Sequence, residues 1–343
     1  MAPRRRWPAA ASAVALGVYL MAVSAPAQTP FVDDAGRSVQ LPARVTRVFA
    51  AGAPAEVLLY TLVPDMLVGR NRLPDGAALE FFPPAYRTPV QIKQLPDRDD
   101  PAADAELLAL KADVFIDYGS VHADYVANVD AVQRRTRIPA LILDGSLARI
   151  PSTYRRLGTA LGQGARGERL AVEAERIFAR YRGALASGGK PLRVYLACSS
   201  DGVIPCLADE SAGEQIALLG GLNVAGDTAS APKRPRTIEE IRGMAPDAVV
   251  VTAAGAASRL RADPQWQTVG AVARGRVYQL PDLPYGWGSR PPSVNRLAGL
   301  IWLAYVLPER AFDDAFYADI RSMFSTYYHL ELTDAQLKRL LGR

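Results

Sequence analysis

Two cysteines and two histidines among 343 residues leave little of the chemistry on which thiol enzymes and metal centres depend. A zinc or manganese site gathers several imidazole, thiolate or carboxylate ligands on one ion, whereas His122 and His329 stand 207 positions apart. A nucleophile elbow, a phosphate-binding loop and a zinc-protease helix motif are also missing. The stretch AAGAPAE from Ala50 to Glu56 lacks the glycine spacing of a dinucleotide turn. No catalytic residue, resident metal or cofactor is therefore expected. Residue types alone leave room for a hydrolase built on Cys198 and His122, and a surface interaction module without a small ligand is the other rival class.

Strong charge of either sign is absent. The formal net charge is +5, and Arg4, Arg5 and Arg6 account for part of it. Without residues 1–27, 37 basic residues face 35 acidic ones, a net of +2, so no nucleic-acid partner is expected. Long hydrophobic runs are also lacking, because the mostly apolar stretch from Ala9 to Val23 falls short of the roughly 20 residues that span a bilayer. Basic residues, then a short apolar run, then Ala25-Pro26-Ala27 make the order of a cleavable export signal with its cut after Ala27. The expected address is the periplasm, with no membrane insertion after cleavage, and no cysteine follows the run to carry a lipid. The remaining length suits two domains. In an oxidising compartment, Cys198 and Cys206 read as a disulfide ahead of two free thiols.

Short apolar runs alternate with helical patterns along the rest of the chain. Strands are expected at Val45–Ala50, Leu67–Gly69, Val114–Asp117 and Ala140–Leu143. The intervening helices are Pro54–Leu62, Ala105–Leu110 and Ala123–Gln133. Alternation of this kind indicates α/β layers with largely parallel sheets. From Arg166 to Ala186, Leu170, Ala174, Ile177, Phe178, Tyr181 and Leu185 fall at helical steps, bracketed by Gly162, Gly164 and Gly167 before and Gly183, Gly188 and Gly189 after. Some 20 residues at 1.5 Å each make a rod about 30 Å long, which reads as a connector between two lobes. A second series follows, with strands at Leu192–Ala197, Ala248–Thr252 and Val277–Leu280, a helix at Ala212–Leu219 and an almost wholly apolar helix at Val294–Leu307. Thr237 with Glu240 and Thr333 with Gln336 form capping boxes. Glu106–Ile116 and Glu240–Val250 share one plan at an offset of 134 residues: acid, short helix, turn, aspartate, apolar strand.

With these stretches in view, the chain resembles periplasmic solute-binding proteins of ABC importers, in the iron-siderophore, cobalamin and molybdate class. The resemblance covers residues 30–330 and rests on FVDDAGRSVQLPARVTRVFAAG, ELLALKADVFID, TIEEIRGMAPDAVVV and DPQWQTVGAVARGRVYQLPDLPYGWGSRPPSVNRLAGLIWLA. It implies two Rossmann-like α/β lobes joined by a single long α-helix: a first lobe over 28–164, a connecting helix over 165–187, a second lobe over 188–310 and a helical tail over 311–343. It further implies a monomer that captures a small metal chelate, foremost a ferric siderophore, or an oxyanion such as molybdate or tungstate, with haem or cobalamin behind. The ligand then passes to an ABC importer permease dimer. An acid on each lobe docks the permease in that class. Glu239 matches the second-lobe position, while the first-lobe position falls on Ala105, between Asp104 and Glu106, of which Glu106 is preferred. Ala112 stands where the family's turn has proline.

Ligands of open α/β sheets collect beyond the carboxyl ends of the strands. Residues expected at that rim are Arg70, Asn71, Tyr118 and His122 from the first lobe, and Ser200, Tyr285, Trp287, Arg290 and Arg296 from the second. Tyr285 and Trp287 offer flat faces with one polar edge each, and Arg290 a permanent charge able to grip an anion.

Overall fold

Strands of two to six residues, mostly buried, organise the chain into two separate parallel sheets. The computed structural model describes residues 30–69, 76–87, 101–187, 189–228 and 233–342. Arg70 and Asn71, like the export signal, lie outside them. The hairpin of β1 (Phe31–Val32) and β2 (Ser38–Val39) leads into β3 (Val48–Ala50), α1 (Ala53–Leu62), α2 (Pro101–Ala109), β4 (Val114–Gly119), α3 (Ala123–Thr136) and β5 (Ala140–Asp144). The sheet order is β3-β4-β5, all parallel, and Leu67 bridges Val48 in parallel on the far edge of β3.

Next come α4 (Ile150–Ala160), α5 (Gly164–Tyr181) and a hairpin of β6 (Ala186–Ser187) with β7 (Lys190–Pro191). The second lobe holds β8 (Arg193–Ala197), α6 (Gly213–Leu218), β9 (Leu222–Asn223), α7 (Ile238–Gly243), β10 (Ala248–Val251), α8 (Ala256–Ala262), α9 (Gly270–Ala273) and β11 (Val277–Gln279). Its order, β9-β8-β10-β11, repeats that of the first sheet, with β9 in the place of Leu67. The chain closes with α10 (Arg296–Val306), α11 (Asp314–Tyr328) and α12 (Asp334–Leu340).

The 134-residue echo is a geometric repeat. Lys111 and Ala245 both take left-handed backbone, at φ 50° and 45°, which ends each helix and turns the chain into β4 or β10. Asp113 accepts the Arg47 amide at 2.9 Å and Asp247 the Arg193 amide at 2.9 Å, while their own amides donate to the same arginines' carbonyls. The Arg47 guanidinium donates to the carbonyls of Leu110 and Lys111, and that of Arg193 to those of Met244 and Ala245. Helix ends leave carbonyls without intrahelical partners. In both lobes an arginine at the head of the neighbouring strand supplies the donors.

The connector is shorter than expected and does not stand alone. It ends at Tyr181 rather than 187, ahead of Gly183 at φ +75°. The expectation missed α4, against which α5 packs along its length. The two helices meet through glycines: a Cβ on Gly167 would lie 2.4 Å from the Tyr154 carbonyl oxygen, and one on Gly158 2.9 Å from Gly167 Cα. Gly167 is thus a packing position inside the helix rather than a bracket before it.

The apolar face of α5 joins a continuous cluster that runs from Val48, Leu58 and Ile116 through Leu170, Ile177 and Phe178 to Val194, Leu300 and Phe324. The halves are accordingly two sheets that share one core at the connector, and each keeps a smaller cluster on its outer face. The expected tail belongs to this shared core. Asp319 of α11 takes Arg176 Nη1 at 2.7 Å, Arg180 Nε at 3.1 Å and the Tyr181 hydroxyl. At the far end of α11, the Tyr60 hydroxyl donates to the Tyr328 carbonyl at 3.0 Å and Arg166 Nη2 to that of Thr326 at 2.8 Å.

Candidate functional site

On one side of the first strand of each sheet lies the next extended segment in sequence, the Leu67 bridge beside β3 and β9 beside β8, and on the other side lie the later strands. The carboxyl ends of β3 with β4, and of β8 with β10, are therefore switch points, where loops part and leave a crevice. In the first lobe that crevice is flanked by Gly52 and Ala53, which open α1, and by Gly119–His122, which lead into α3. Neither helix has a side-chain cap at its N-cap residue, Gly52 or His122. Pro54 carries no amide and the Tyr125 amide donates to the His122 carbonyl at 3.0 Å, which leaves Ala53 and Ala55 on α1 and Ala123 and Asp124 on α3 at the positive end of the helix dipole. In the second lobe Cys198–Asp201 and Ala253–Gly255 occupy the matching positions. The loop 253–255 escaped the sequence reading, although the turn after every buried strand was a fair candidate.

The loop after β8 is built as a rigid wall. Cys198 and Cys206 are joined in a disulfide with Cα atoms 5.2 Å apart. The Cys198 amide donates to the Ile204 carbonyl and the Cys206 amide to that of Leu196, both at 2.8 Å. Arg290 lies on this wall with its side chain exposed, and its Nη2 donates to the Cys198 carbonyl at 3.2 Å. Ser200 is exposed two residues further on, its carbonyl accepting Arg259 Nε at 3.2 Å. His122 is exposed on the first-lobe rim. His122, Ser200 and Arg290 are thus the expected rim residues that keep solvent-facing side chains.

The others are placed differently. Trp287 is 1 % exposed and its indole N–H donates to the Leu283 carbonyl at 2.8 Å. Tyr285 is buried edge-on to Phe82, with ring centroids 5.8 Å apart, and near Tyr328. Their faces meet the shared core and not the rim at which they were expected, because the 281–290 loop folds inward over α10. Tyr118 is fully buried beside Arg296, and burial pushes its pKa up to about 12. Arg296 has no exposed side-chain surface and is held by four acceptors, including Glu214 at 2.6 Å. Its charge is neutralised at the seam between the lobes and does not face an incoming anion.

Asp117, one residue before Tyr118 on β4, points to the outer face of the first sheet. Burial raises its carboxyl to about 6 against the donated Tyr125 hydroxyl at 2.9 Å, which favours the charged form. The group stiffens the base of the rim, because Tyr125 sits in the first turn of α3. Of the acids considered for docking, Asp104 pairs with Arg135 at 2.5 Å, whereas Glu106 is exposed on α2 and Glu239 is 86 % exposed on α7. Among the described residues no group of three or more histidine, cysteine or acidic side chains could hold a metal ion, and no helix is long and apolar enough to cross a membrane.

The family model described as periplasmic binding protein matches residues 123–283. No curated protein matches the chain in sequence. Among solved structures it is similar to an ABC transporter solute-binding protein from Sulfurospirillum deleyianum, at 22 % identity and a TM-score of 0.78, over 92 % of this chain and 99 % of that one. It is also similar to the Haemophilus influenzae molybdate-binding protein MolA, at 16 % identity and 0.68, over 89 % and 99 %. A third is the Vibrio cholerae vitamin B12-binding protein BtuF, at 19 % and 0.59, over 78 % and 98 %. The two-lobed α/β fold of this chain is that of these solved binding proteins.

Proposed function

From that family match and fold we propose that this chain is the periplasmic substrate-binding component of an ABC importer, exported by its N-terminal segment, and that it captures an anionic, metal-bearing ligand between the lobes. The observation that carries the ligand class is Arg290. It is an exposed guanidinium at the carboxyl end of the second sheet, and the uncapped starts of α1 and α3 are its counterparts on the first. Fixed cation and helix amides together suit carboxylate, catecholate or oxyanion groups. Ferric chelates fit this chemistry. A compact oxyanion such as molybdate or tungstate is a second reading, favoured by the burial of Tyr285 and Trp287, which leaves those aromatic faces unavailable to a broad planar ligand. Glu106 and Glu239 are the docking acids toward the permease, since each lies exposed on the helix that precedes the repeated turn of its lobe.

A thermal-unfolding panel of ferric siderophores, ferric citrate, molybdate, tungstate, haem and cobalamin tests the reading. A true ligand at 100 times its Kd stabilises by about 2.7 kcal/mol. Stabilisation by a neutral or cationic ligand alone, and by none of the anions, would remove the proposed class.

A further inference from the structure

Arg296 and Glu214 both belong to the second lobe, yet what they hold is the first. Arg296 Nη1 donates to Glu214 Oε2 at 2.6 Å and to the Ser211 carbonyl at 3.2 Å, Nε donates to the Ser293 carbonyl at 3.0 Å, and Nη2 reaches across to the carbonyl of Gly145. The same Glu214 oxygen accepts the amide of Leu147 at 2.9 Å. One ion pair thus takes two backbone groups from the segment that follows β5. That segment is fastened to the first-lobe rim: the Gly145 amide donates to the Gly119 carbonyl at 2.8 Å, and a Cβ on Gly145 would lie 2.8 Å from Gly119 Cα. On the other side, Gln215 Nε2 donates to the carbonyls of Trp287 at 2.9 Å and Arg296 at 2.7 Å, which ties the pair to the loop bearing Arg290. Ser293 adds a neighbouring link, its hydroxyl donating to the Pro54 carbonyl at 2.8 Å.

We propose that the Arg296–Glu214 pair is an interlobe strut: it sets the distance between the two cleft walls and so the affinity for an anion held between them. The role is one of positioning. It rests on the binding-protein reading above, but its first test does not. Buried ion pairs add little net stability compared with apolar replacements, while their directional hydrogen bonds specify geometry. Glu214→Gln keeps the shape and removes the charge that aligns the guanidinium. Arg296→Lys keeps the charge and removes the fork that spans Glu214 and Gly145.

The experiment places spin labels at the exposed positions Ala127→Cys on α3 and Ser258→Cys on α8 of the full mature chain and reads interlobe distances without ligand. Hydrogen exchange of the Leu147 amide is followed in parallel. The strut predicts a broader distance distribution and at least tenfold faster Leu147 exchange in Glu214→Gln, with a similar change in Arg296→Lys should that variant fold. An unchanged distribution in Glu214→Gln overturns it, whatever the protein binds. The second arm titrates molybdate and ferric citrate. For either probe that the parent protein binds, affinity falls at least fivefold in Glu214→Gln, and an unchanged affinity also overturns the strut. Failure of both probes on the parent protein counts against the proposed ligand class, and the distance measurement then decides the strut alone.

Discussion

Replacing Asp117 by asparagine should make the protein more stable at neutral pH and flatten part of its pH dependence. The carboxyl is buried on the outer face of β4, and burial raises its pKa from 3.8 to about 6. Between those values the folded state holds a proton that the unfolded chain has released, so stability falls as pH rises. The contribution is fully present below about pH 3.8 and is lost as pH passes through about 6. A separation near two units corresponds to about 3 kcal/mol at 1.36 kcal/mol per unit. Asparagine keeps an acceptor for the Tyr125 hydroxyl and never ionises. Urea unfolding of parent and Asp117→Asn at half-unit steps from pH 4 to 8 would read the difference directly, since other titrating groups cancel between the two. The variant should gain on the parent by up to about 3 kcal/mol between pH 4 and 7. Parallel curves, or a variant less stable at pH 7.5, would refute the account of the buried charge.

Arg290→Ala should weaken an anionic ligand more than tenfold with the melting temperature nearly unchanged, as its side chain is exposed and makes one hydrogen bond; equal affinity by calorimetry would remove Arg290 from the site. Loss of the Cys198–Cys206 bridge in a double alanine variant should cost about 2 to 3 kcal/mol, the value for a short closed loop, read by denaturant midpoint. Gly167→Ala should destabilise by about 1 to 3 kcal/mol through overpacking, because its Cβ would meet the Tyr154 carbonyl at 2.4 Å. Gly164→Ala, whose nearest neighbour is 4.0 Å away, should be neutral or slightly stabilising. Equal effects from the two glycines would contradict the close crossing of α4 and α5.

Much of the architecture was legible in residue order because it depends on local chemistry. Apolar runs bounded by turn residues located the principal buried strands, and the Thr237–Glu240 and Thr333–Gln336 boxes form as their side chains dictate. The 134-residue echo carried real information, since Asp113 and Asp247 must each accept amides at the turn they close. By contrast, α4 was overlooked because Pro151 and the polar Arg155 and Arg156 interrupt its pattern. Those arginines face outward, Arg155 to Glu168 and Glu175 on α5 and Arg156 to Asp34.

The candidate site divides along the same line. Sequence alone determined the principal buried strands and that Arg290 and His122 stand in loops beyond strand ends, whereas the connector opens at Gly164 with Gly167 inside it. Side-chain type could not tell a face that meets ligand from one that meets the core. Tyr285 and Trp287 have the same amphipathic rings either way, and only the inward fold of their loop onto α10 buries them. Nor could it pair Arg296 with Glu214, 82 residues earlier and on another helix. Local propensity and periodicity act within a turn or two of chain, whereas the partner of a buried charge is chosen by whichever distant segments the two lobes bring to their common seam.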